Sequence, residues 1–332
     1  MRGYAEVMQR ILITGGAGFI GSHVADRALA AGYQVTALDN LSSGRRENLS
    51  PEVELLEVDL RDADGVYRAL DAARPHVISH HAAQVSVFES VHHPHHDAQV
   101  NILGTLNLLD AARRVNVRRV IFASSGGAIH GEVPEGGRAE VDWPASPISP
   151  YAVSKLAGEG YLQAYRAQFG IEFCALRYGN VYGPRQNPHG EAGVVAVFVN
   201  HLLAGQPLTI NAMNREGDDG CVRDYVYVGD VAQANLLAAG GEWPDVVNIG
   251  TGQPTTTRQL LDLLCDLGGL IPQVSSAPQR DGDIRRSLLS PVVCERLLGS
   301  MTPLREGLRW TLESFAEAGR LAAGSSAADT SG

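Results

Sequence analysis

The chain has 332 residues, of which 44% are hydrophobic and 19% charged, and its formal net charge is −10. This balance is typical of a soluble globular enzyme and excludes a disordered or fibrous chain. The acidic charge argues against nucleic acid or an anionic membrane surface as the main partner.

Processing and targeting signals are missing from the sequence pattern. The first ten residues lack the apolar core of a signal peptide, and no run approaches the roughly 18 apolar residues of a membrane span. The four cysteines are scattered, with no C-x-x-C pair. We therefore expect a cytoplasmic protein without a disulfide framework or a zinc site.

Short apolar runs typical of strands alternate with helical stretches such as DAQVNILGTLNLLDAARR (97–114). The runs are RILIT (10–14), QVTAL (34–38), VELLEV (53–58), HVISH (76–80), RVIFAS (119–124), EFCALR (172–177) and VVNIG (246–250). Continuous apolar strands separated by helices indicate a parallel sheet that is covered on both faces. We predict an α/β fold with a doubly wound parallel sheet of the Rossmann type.

The regular alternation ends after about residue 178, where Pro, Gly and Asn become frequent. We predict a second, smaller α/β substrate domain that is interleaved with the first. The nucleotide-binding domain would comprise residues 1–178 and 224–251, and the substrate domain residues 179–223 and 252–322. The small and polar residues 323–332 are predicted to be disordered.

A glycine-rich loop, GGAGFIGSH (15–23), follows the first strand and opens a helix. Gly15, Gly18 and Gly21 have the spacing of a dinucleotide-binding loop. In such a loop one glycine allows a tight turn, one lets the backbone approach the pyrophosphate, and one lets the helix pack closely on the strand. The pyrophosphate would bind at the helix N-terminus, beside Phe19 and Ile20. Alone, such a spacing is only a glycine-rich turn, but its place between strand and helix favours a cofactor site.

The second strand ends in Asp39, 18 residues after Gly21, and Asn40 follows it. An acid at this position binds the ribose diol of NAD and repels the extra phosphate of NADP. The sequence therefore predicts NAD as the cofactor, although Arg45 and Arg46 lie close by.

Lys155 is the only lysine among 27 basic residues, and it follows Tyr151 by four positions in a predicted helix. At that spacing both side chains lie on one helix face. A nearby cation lowers the pKa of a tyrosine from about 10, and the compact ammonium of lysine can bind ribose hydroxyls at the same time. We hypothesise that Tyr151 is a catalytic base and Lys155 its cationic partner. A lone Y-x-x-x-K is common in helices without such a role, but the glycine loop favours the catalytic interpretation.

The strand before this helix ends in FASSGG (122–127). Ligands of open α/β sheets bind beyond the carboxyl ends of the strands. Ser125 is our candidate for hydrogen bonding to a substrate oxygen, and Ser124 for a contact on the cofactor side. A serine in such a place can also simply cap a loop.

Seven of the eleven histidines fall between residues 76 and 96, including HHPHHD at 92–97. A metal site is one interpretation of such a cluster. A solvated loop that leads into the helix near Asp97 is the simpler one, and we expect no metal.

The chain resembles the extended short-chain dehydrogenase/reductase family over residues 9 to 315. The resemblance lies in the glycine loop, in the stretches that contain Ser125 and the Tyr151–Lys155 pair, and in LRYGNVYGPRQ and GCVRDYVYVGDVAQA. Within that family the chain is similar to the nucleotide-sugar 4-epimerases. The resemblance implies interconversion of UDP-glucose and UDP-galactose through a 4-keto sugar, with tightly bound NAD. It also implies a homodimer formed through helices that include the one bearing Tyr151.

The resemblance implies further site residues. On the cofactor side these are Asp59 and Leu60 beside the adenine, Ala82 and Ala83 beyond the fourth strand, and Tyr178 near the nicotinamide. On the substrate side they are Asn180, Val194, Arg223 and Arg280 for the nucleotide-sugar diphosphate and its surroundings, and Asp283 for the uridine ribose. Ser287 is a small residue that would leave room for a 2-acetamido group. His130 stands where many members have tyrosine, and Asp281 where they have proline.

Two other functions stay open. A 4,6-dehydratase or decarboxylase would use the same scaffold, but those enzymes need an acid where Gly126 and Gly127 follow Ser125. A non-catalytic NAD-binding regulator would not need the Tyr151–Lys155 pair.

Overall fold

A seven-stranded parallel sheet is the centre of the fold in the computed structural model, which describes residues 9–188, 193–241, 243–279 and 283–329, with side chains to residue 320. The strands are β1 (Arg10–Thr14), β2 (Gln34–Asp39), β3 (Glu54–Glu57), β4 (Val77–His80), β5 (Arg119–Ser125), β6 (Glu172–Tyr178), β7 (Asn180–Tyr182), β8 (Leu208–Asn211), β9 (Val222–Tyr227), β10 (Val246–Ile249), β11 (Pro254–Thr256) and β12 (Val274–Ala277). The order in the main sheet is β3-β2-β1-β4-β5-β6-β10, and every pair is parallel. The prediction of a doubly wound parallel sheet is confirmed.

Helices follow most of the strands. They are α1 (Phe19–Ala30), α2 (Ala63–Ala73), α3 (Val87–His92), α4 (Pro94–Asp97), α5 (Gly104–Arg114), α6 (Gly126–His130), α7 (Pro150–Phe169), α8 (Val194–Leu203), α9 (Val228–Gly240), α10 (Thr257–Gly268), α11 (Val292–Leu298) and α12 (Leu304–Asp329). A 3₁₀ turn covers Arg46–Asn48, and a π-helical segment, Ala98–Leu103, joins α4 to α5. The helix predicted over residues 97–114 is thus one helical path with a π segment near its start.

Both faces of the main sheet are buried, and this explains the continuous apolar strands. One face packs under α1 and α9, with side chains such as Val24 and Val231 in its core. The other packs under α2, α5 and α7, with Leu70, Leu108 and Leu162 in its core. Strands in such a position bury successive side chains on alternate faces, so no polar alternation appears in the sequence.

A second, smaller region follows β6. Its strands form a three-stranded sheet in the order β11-β9-β7 and the parallel pair β8–β12. These pack with α8, α10 and α12 around their own apolar core. The boundary predicted at residue 224 falls inside β9, because that strand pairs with β7 and β11 while α9 returns to the main sheet. The division into two domains itself stays a prediction.

The last helix continues to Asp329 and so runs through most of the segment predicted to be disordered from residue 323. Residues 323–329 include three alanines, the residue with the highest helix propensity, which the prediction from small and polar composition did not weigh.

Within the described parts of the chain, no helix combines the length and the apolar character needed to cross a bilayer. All four cysteines are free thiols.

Candidate active site

The glycine loop has the close backbone contacts that its spacing predicts. Gly15 has φ +64°, and a Cβ atom there would lie 2.7 Å from the backbone nitrogen of Ala82. A Cβ atom on Gly21 would lie 2.2 Å from the carbonyl oxygen of Gly15. Gly18 precedes the first turn of α1, where no side chain caps the helix. Free backbone N–H groups at a helix N-terminus and a loop without side chains fit a pyrophosphate group.

Replacement of Gly21 by alanine tests this packing. The added methyl group would collide with backbone rather than with a flexible side chain, so α1 must move away from β1. We expect a loss of about 1–3 kcal/mol in the free energy of unfolding, typical of overpacking, and loss of bound NAD. Urea unfolding and the absorbance of released NAD measure both effects.

Gly319→Ala in α12 is the matched control, because open space surrounds that glycine. It should raise stability by about 0.5–1 kcal/mol, the usual gain in a helix interior. A Gly21→Ala protein that carries wild-type amounts of NAD would contradict the assignment of the loop.

Asp39 lies at the carboxyl end of β2 and is buried. Its carboxylate accepts hydrogen bonds from the backbone nitrogens of Ala17 at 3.0 Å and Leu41 at 2.9 Å. These bonds fix the carboxylate against the glycine loop and leave lone pairs on both oxygens. The arrangement fits the predicted contact with a ribose diol.

The other predicted cofactor residues lie at neighbouring strand ends. Asp59 follows β3, forms an ion pair with Arg61 at 2.7 Å and accepts a hydrogen bond from Asn40 at 2.8 Å. These partners hold the pKa of Asp59 well below its usual range. Leu60 is buried, and the backbone nitrogen of Ala82 donates to the hydroxyl of Thr14 at 3.1 Å. Phe19 and Ile20 begin α1, and Ala83 follows Ala82 beyond β4.

Ser125, Tyr151 and Lys155 meet at the carboxyl end of β5. Ser125 ends this strand, and its hydroxyl accepts from the backbone nitrogen of Ala128 and hydrogen-bonds to Tyr151. Ser149 caps α7 through its bond from the backbone nitrogen of Ala152, so Tyr151 lies in the first turn of the helix. The three predicted catalytic residues are therefore brought together.

The ammonium of Lys155 does not point at the Tyr151 hydroxyl. Its Nζ atom donates to the carbonyl oxygen of Ala123 at 2.9 Å and lies 5.9 Å from the centroid of the Tyr151 ring. Burial raises the pKa of Tyr151 to about 12, and it lowers the pKa of Lys155 to about 8. The expected lowering of the Tyr151 pKa is absent, because burial of the phenol outweighs a cation at this distance.

A buried polar group lies behind this pair, on the π segment and α4. The amide of Asn101 donates to Asp97 at 2.9 Å, to the hydroxyl of Ser154 at 3.2 Å and to the carbonyl of Gln84 at 2.9 Å. Ser154 in turn donates to the carbonyl of Tyr151 at 2.9 Å. These bonds attach the first turn of α7 to the neighbouring helical segment.

Ser124 faces α7. Its hydroxyl donates to Glu159 at 2.5 Å, and the predicted contact of Ser124 with the cofactor stays a prediction. Glu159 also binds Arg177 of β6 through two hydrogen bonds of 2.9 and 2.7 Å. His130 is buried beside Arg177, with its Nε2 atom 3.3 Å from the guanidinium, and burial lowers its pKa to about 4.

Tyr178, at the end of β6, is buried, and its hydroxyl accepts a hydrogen bond from Asn235 at 2.8 Å. Burial raises its pKa strongly. It therefore stays a neutral phenol near the strand end at which the resemblance places the nicotinamide.

The predicted substrate residues come from the smaller region and the segment after β12. Asn180 begins β7, and Val194 begins α8. Arg223 lies on β9, with its guanidinium bonded to the carbonyl oxygens of Val222 at 3.1 Å and Arg285 at 3.3 Å.

The segment after β12 holds the other substrate candidates. The backbone carbonyl of Asp283 accepts from Gln279 at 3.3 Å. Ser287 is buried, and its hydroxyl oxygen lies 2.9 Å from the point where a Cβ atom of Gly127 would be. This contact places Ser287 close to the end of β5. Arg280 and Asp281 lie outside the described residues.

Asp224, beside Arg223, has a structural role. Its carboxylate is buried and accepts from the backbone nitrogens of Thr251, Gly252 and Leu289. It thereby joins β9 to the segments that follow β10 and precede α11.

The four histidines of the segment 92–96 are exposed. His93 lies 3.6 Å from Glu89, and His92 stacks on Phe88 with ring centroids 4.1 Å apart. Among the residues that the structure describes, no group of three or more His, Cys, Asp or Glu side chains could hold a metal ion.

The sequence interpretation missed the buried Glu159–Arg177 pair and the Asp97–Asn101 group. Two signals were available. Arg177 is a charged residue inside the apolar run EFCALRY, and Glu159 follows Lys155 by the same four residues that separate Tyr151 from Lys155.

The chain is similar to known epimerases over most of its length. The model of the NAD-dependent epimerase/dehydratase family matches residues 11–250. The UDP-glucose 4-epimerase of Mycolicibacterium smegmatis is 44% identical over 314 residues, which are 92% of this chain and 98% of that protein.

Two crystal structures share the fold over nearly the whole chain. The UDP-glucose 4-epimerase of Thermus thermophilus, solved with NAD, has a TM-score of 0.90 and 52% identity, covering 92% of this chain and 99% of that one. The UDP-glucose 4-epimerase of Thermotoga maritima, solved with UDP-glucose, has a TM-score of 0.89 and 43% identity, covering 93% and 99%.

Proposed function

The chain belongs to the NAD-dependent epimerase/dehydratase family, and we propose that it interconverts UDP-glucose and UDP-galactose with tightly bound NAD. One observation carries the proposal: the hydroxyl of Tyr151 is bonded to Ser125, with Lys155 on the same helix face, beside a glycine loop fitted to a dinucleotide. Together these groups supply a base, a positive charge and a site for a hydride acceptor, which reversible oxidation of an alcohol requires.

Tyr151 is the proposed base. The 4-hydroxyl of the sugar gives its proton to Tyr151 while carbon 4 loses a hydride, and Ser125 donates a hydrogen bond to the resulting carbonyl oxygen. When bound, NAD supplies the hydride acceptor and the positive charge of the nicotinamide. After the 4-keto sugar has turned over, hydride returns to the opposite face and Tyr151 returns the proton to oxygen, so that no net oxidation occurs.

Lys155 is proposed to stabilise the phenolate during this step. A tyrosine with a pKa of about 12 is protonated at neutral pH and can accept the proton only as the phenolate, so the reaction needs positive charge nearby to favour that form. The ammonium of Lys155, 5.9 Å from the ring centroid, is such a charge, and it has donors free to bind the ribose hydroxyls of the cofactor.

The residues after Ser125 favour epimerisation over elimination of water. Gly126 and Gly127 begin α6, and a Cβ atom on Gly126 would lie 2.6 Å from a methyl group of Leu289. An acidic side chain at Gly126 would therefore require the Leu289 side chain to move. A dehydratase or a decarboxylase would need such an acid near the sugar.

Proton NMR of the purified protein with UDP-glucose, without added NAD, tests the proposal. We expect the anomeric signal of UDP-galactose to appear and to approach equilibrium. A protein that leaves UDP-glucose unchanged even with NAD supplied would exclude the epimerase. A 4-keto-6-deoxy product would identify the dehydratase instead.

The same assay with UDP-N-acetylglucosamine addresses the second proposed substrate pair. Ser287 is small and lies close to the end of β5, so it leaves space near the sugar. We propose that the N-acetylated pair is also converted, with Ser287 lining the space for the acetamido group.

We further propose a homodimer in the cytoplasm. Apolar side chains on α3, the π segment and α7 are exposed and lie on elements packed side by side; they are Phe88, Val91, Leu103, Val153 and Tyr161. An exposed apolar patch of this kind is typical of a protein interface. Sedimentation equilibrium should give twice the chain mass, and the free thiols are consistent with a reducing compartment.

A further inference from the structure

An ion pair that the proposed reaction does not use lies next to the catalytic residues. Glu159 of α7 and Arg177 of β6 are joined by two hydrogen bonds, and their side chains are only 8% and 9% exposed. Burying two charges is costly, and a well-packed apolar pair is often at least as stable. The pair therefore calls for an explanation beyond stability.

A third group connects this pair to β5. The hydroxyl of Ser124 donates to Glu159 at 2.5 Å. Ser124 lies between Ala123, whose carbonyl accepts from Lys155, and Ser125, which bonds to Tyr151. The Ser124–Glu159 bond therefore holds the three-residue segment that contacts both members of the Tyr–Lys pair.

The geometry of the helix and sheet makes this connection rigid. Tyr151, Lys155 and Glu159 are spaced by four residues and lie along one stripe of α7. Arg177 is the register partner of Ser124 across the β5–β6 pair. The ion pair thus links α7, β5 and β6 at the level of the active site.

We propose that Glu159 and Arg177 are positioning residues for the reaction, which hold α7 and the end of β5 in the arrangement that Ser125, Tyr151 and Lys155 require. The inference rests on the proposed function, because its main test measures kcat for UDP-glucose. It goes beyond that function because the proposed proton and hydride transfers assign no part to either residue.

The negative charge of Glu159 also acts on Lys155. The groups that face Lys155 are Glu159 on α7, Asp97 on α4, His80 at the end of β4 and His81 just after it. Burial lowers the pKa of Lys155 to about 8, and the charges of Asp97 and Glu159 oppose that effect. Burial also lowers the pKa of both histidines, so they are neutral near pH 7 and add no charge.

Glu159→Gln tests the proposal because it keeps the shape of the side chain and removes its charge. The ammonium of Lys155 is present below its pKa and is lost as the pH rises through it. Without Glu159 that pKa falls further, so we expect the alkaline limb of kcat to move down by about one pH unit. Loss of positioning should also lower kcat by about 10²-fold at the optimum, with KM for UDP-glucose little changed.

Glu172→Gln is the matched control. Glu172 pairs with Arg119 at 2.8 Å across the same two strands, at the opposite end of β5 and β6. This variant removes an ion pair between the same strands, with an exposed carboxylate and far from the site, and should keep the wild-type kcat and pH profile.

Two further variants allow for poor folding of Glu159→Gln, in which the charge of Arg177 would be buried without its carboxylate partner. The double variant Glu159→Gln with Arg177→Met removes both charges and leaves the net charge near Lys155 unchanged, so it should fold, should lower kcat through lost positioning, and should shift the alkaline limb less than Glu159→Gln alone. Ser124→Ala keeps the charges and should lower kcat without moving the limb.

The proposal is overturned if a folded Glu159→Gln variant keeps the wild-type pH profile of kcat, or if the folded double variant keeps the wild-type kcat. A wild-type chain that fails to epimerise would instead reject the proposed function. In that case the pH at which bound NAD is released still decides the inference, since loss of the Lys155 charge should release NAD at lower pH in Glu159→Gln than in wild type. Equal release profiles would overturn it.

Discussion

Tyr151→Phe is expected to lower turnover of UDP-glucose by about 10⁴-fold, the upper range for loss of a general base. The substitution removes one hydroxyl and keeps the ring in the first turn of α7. It leaves the glycine loop, Asp39 and Lys155 unchanged. The variant should therefore fold normally and carry the wild-type amount of NAD.

Three measurements separate chemistry from binding in this variant. They are kcat by NMR, bound NAD after denaturation, and the thermal midpoint. A variant that loses both NAD and stability would assign Tyr151 a structural role, and one with wild-type turnover would rule out the mechanism.

Ser125→Ala should show a smaller loss of turnover, about 10²-fold, because it removes one donor to the sugar oxygen and keeps the base.

Lys155→Arg has the second largest expected effect, although it preserves the positive charge. Lys155 is buried, with its ammonium 2.9 Å from the carbonyl of Ala123 and 5.0 Å from the centroid of the Phe122 ring. A planar guanidinium is larger and cannot take the same position without displacing its neighbours. We expect a loss of about 10²-fold or more in kcat, as for a misplaced catalytic group, together with weaker retention of NAD.

Lys155→Met separates charge from size, because methionine has a similar length and no charge. It should fold as well as wild type and should lose at least as much activity as Lys155→Arg. If arginine supports full turnover, then the single lysine of the chain has no special chemical role, and the interpretation of its uniqueness is wrong.

The parts of the fold that the sequence predicts are those determined by short-range chemistry. The apolar runs predict a sheet of parallel strands. The glycine loop predicts its own geometry, because close contacts such as that of Gly21 with Gly15 depend on residues only six positions apart. The Tyr151–Lys155 spacing likewise fixes a shared helix face before the fold is known.

Other features depend on the packing of elements that are distant in sequence. Ser124 and Arg177 become neighbours only through the register of β5 and β6, and Glu159 reaches them only because α7 crosses that pair. The direction of the Tyr151 pKa shift was predicted wrongly for the same reason. It depends chiefly on the burial of the phenol, which the spacing in sequence does not determine.

The most direct test of the mechanism follows the hydrogen on carbon 4 of the sugar. UDP-glucose labelled with deuterium at that carbon is incubated with the protein in ordinary water, and the UDP-galactose formed is analysed by NMR and mass spectrometry. Transient oxidation within a closed site predicts that the deuterium leaves carbon 4 and returns to it, so the product keeps the label. A product in which hydrogen from water replaces the deuterium would contradict the account.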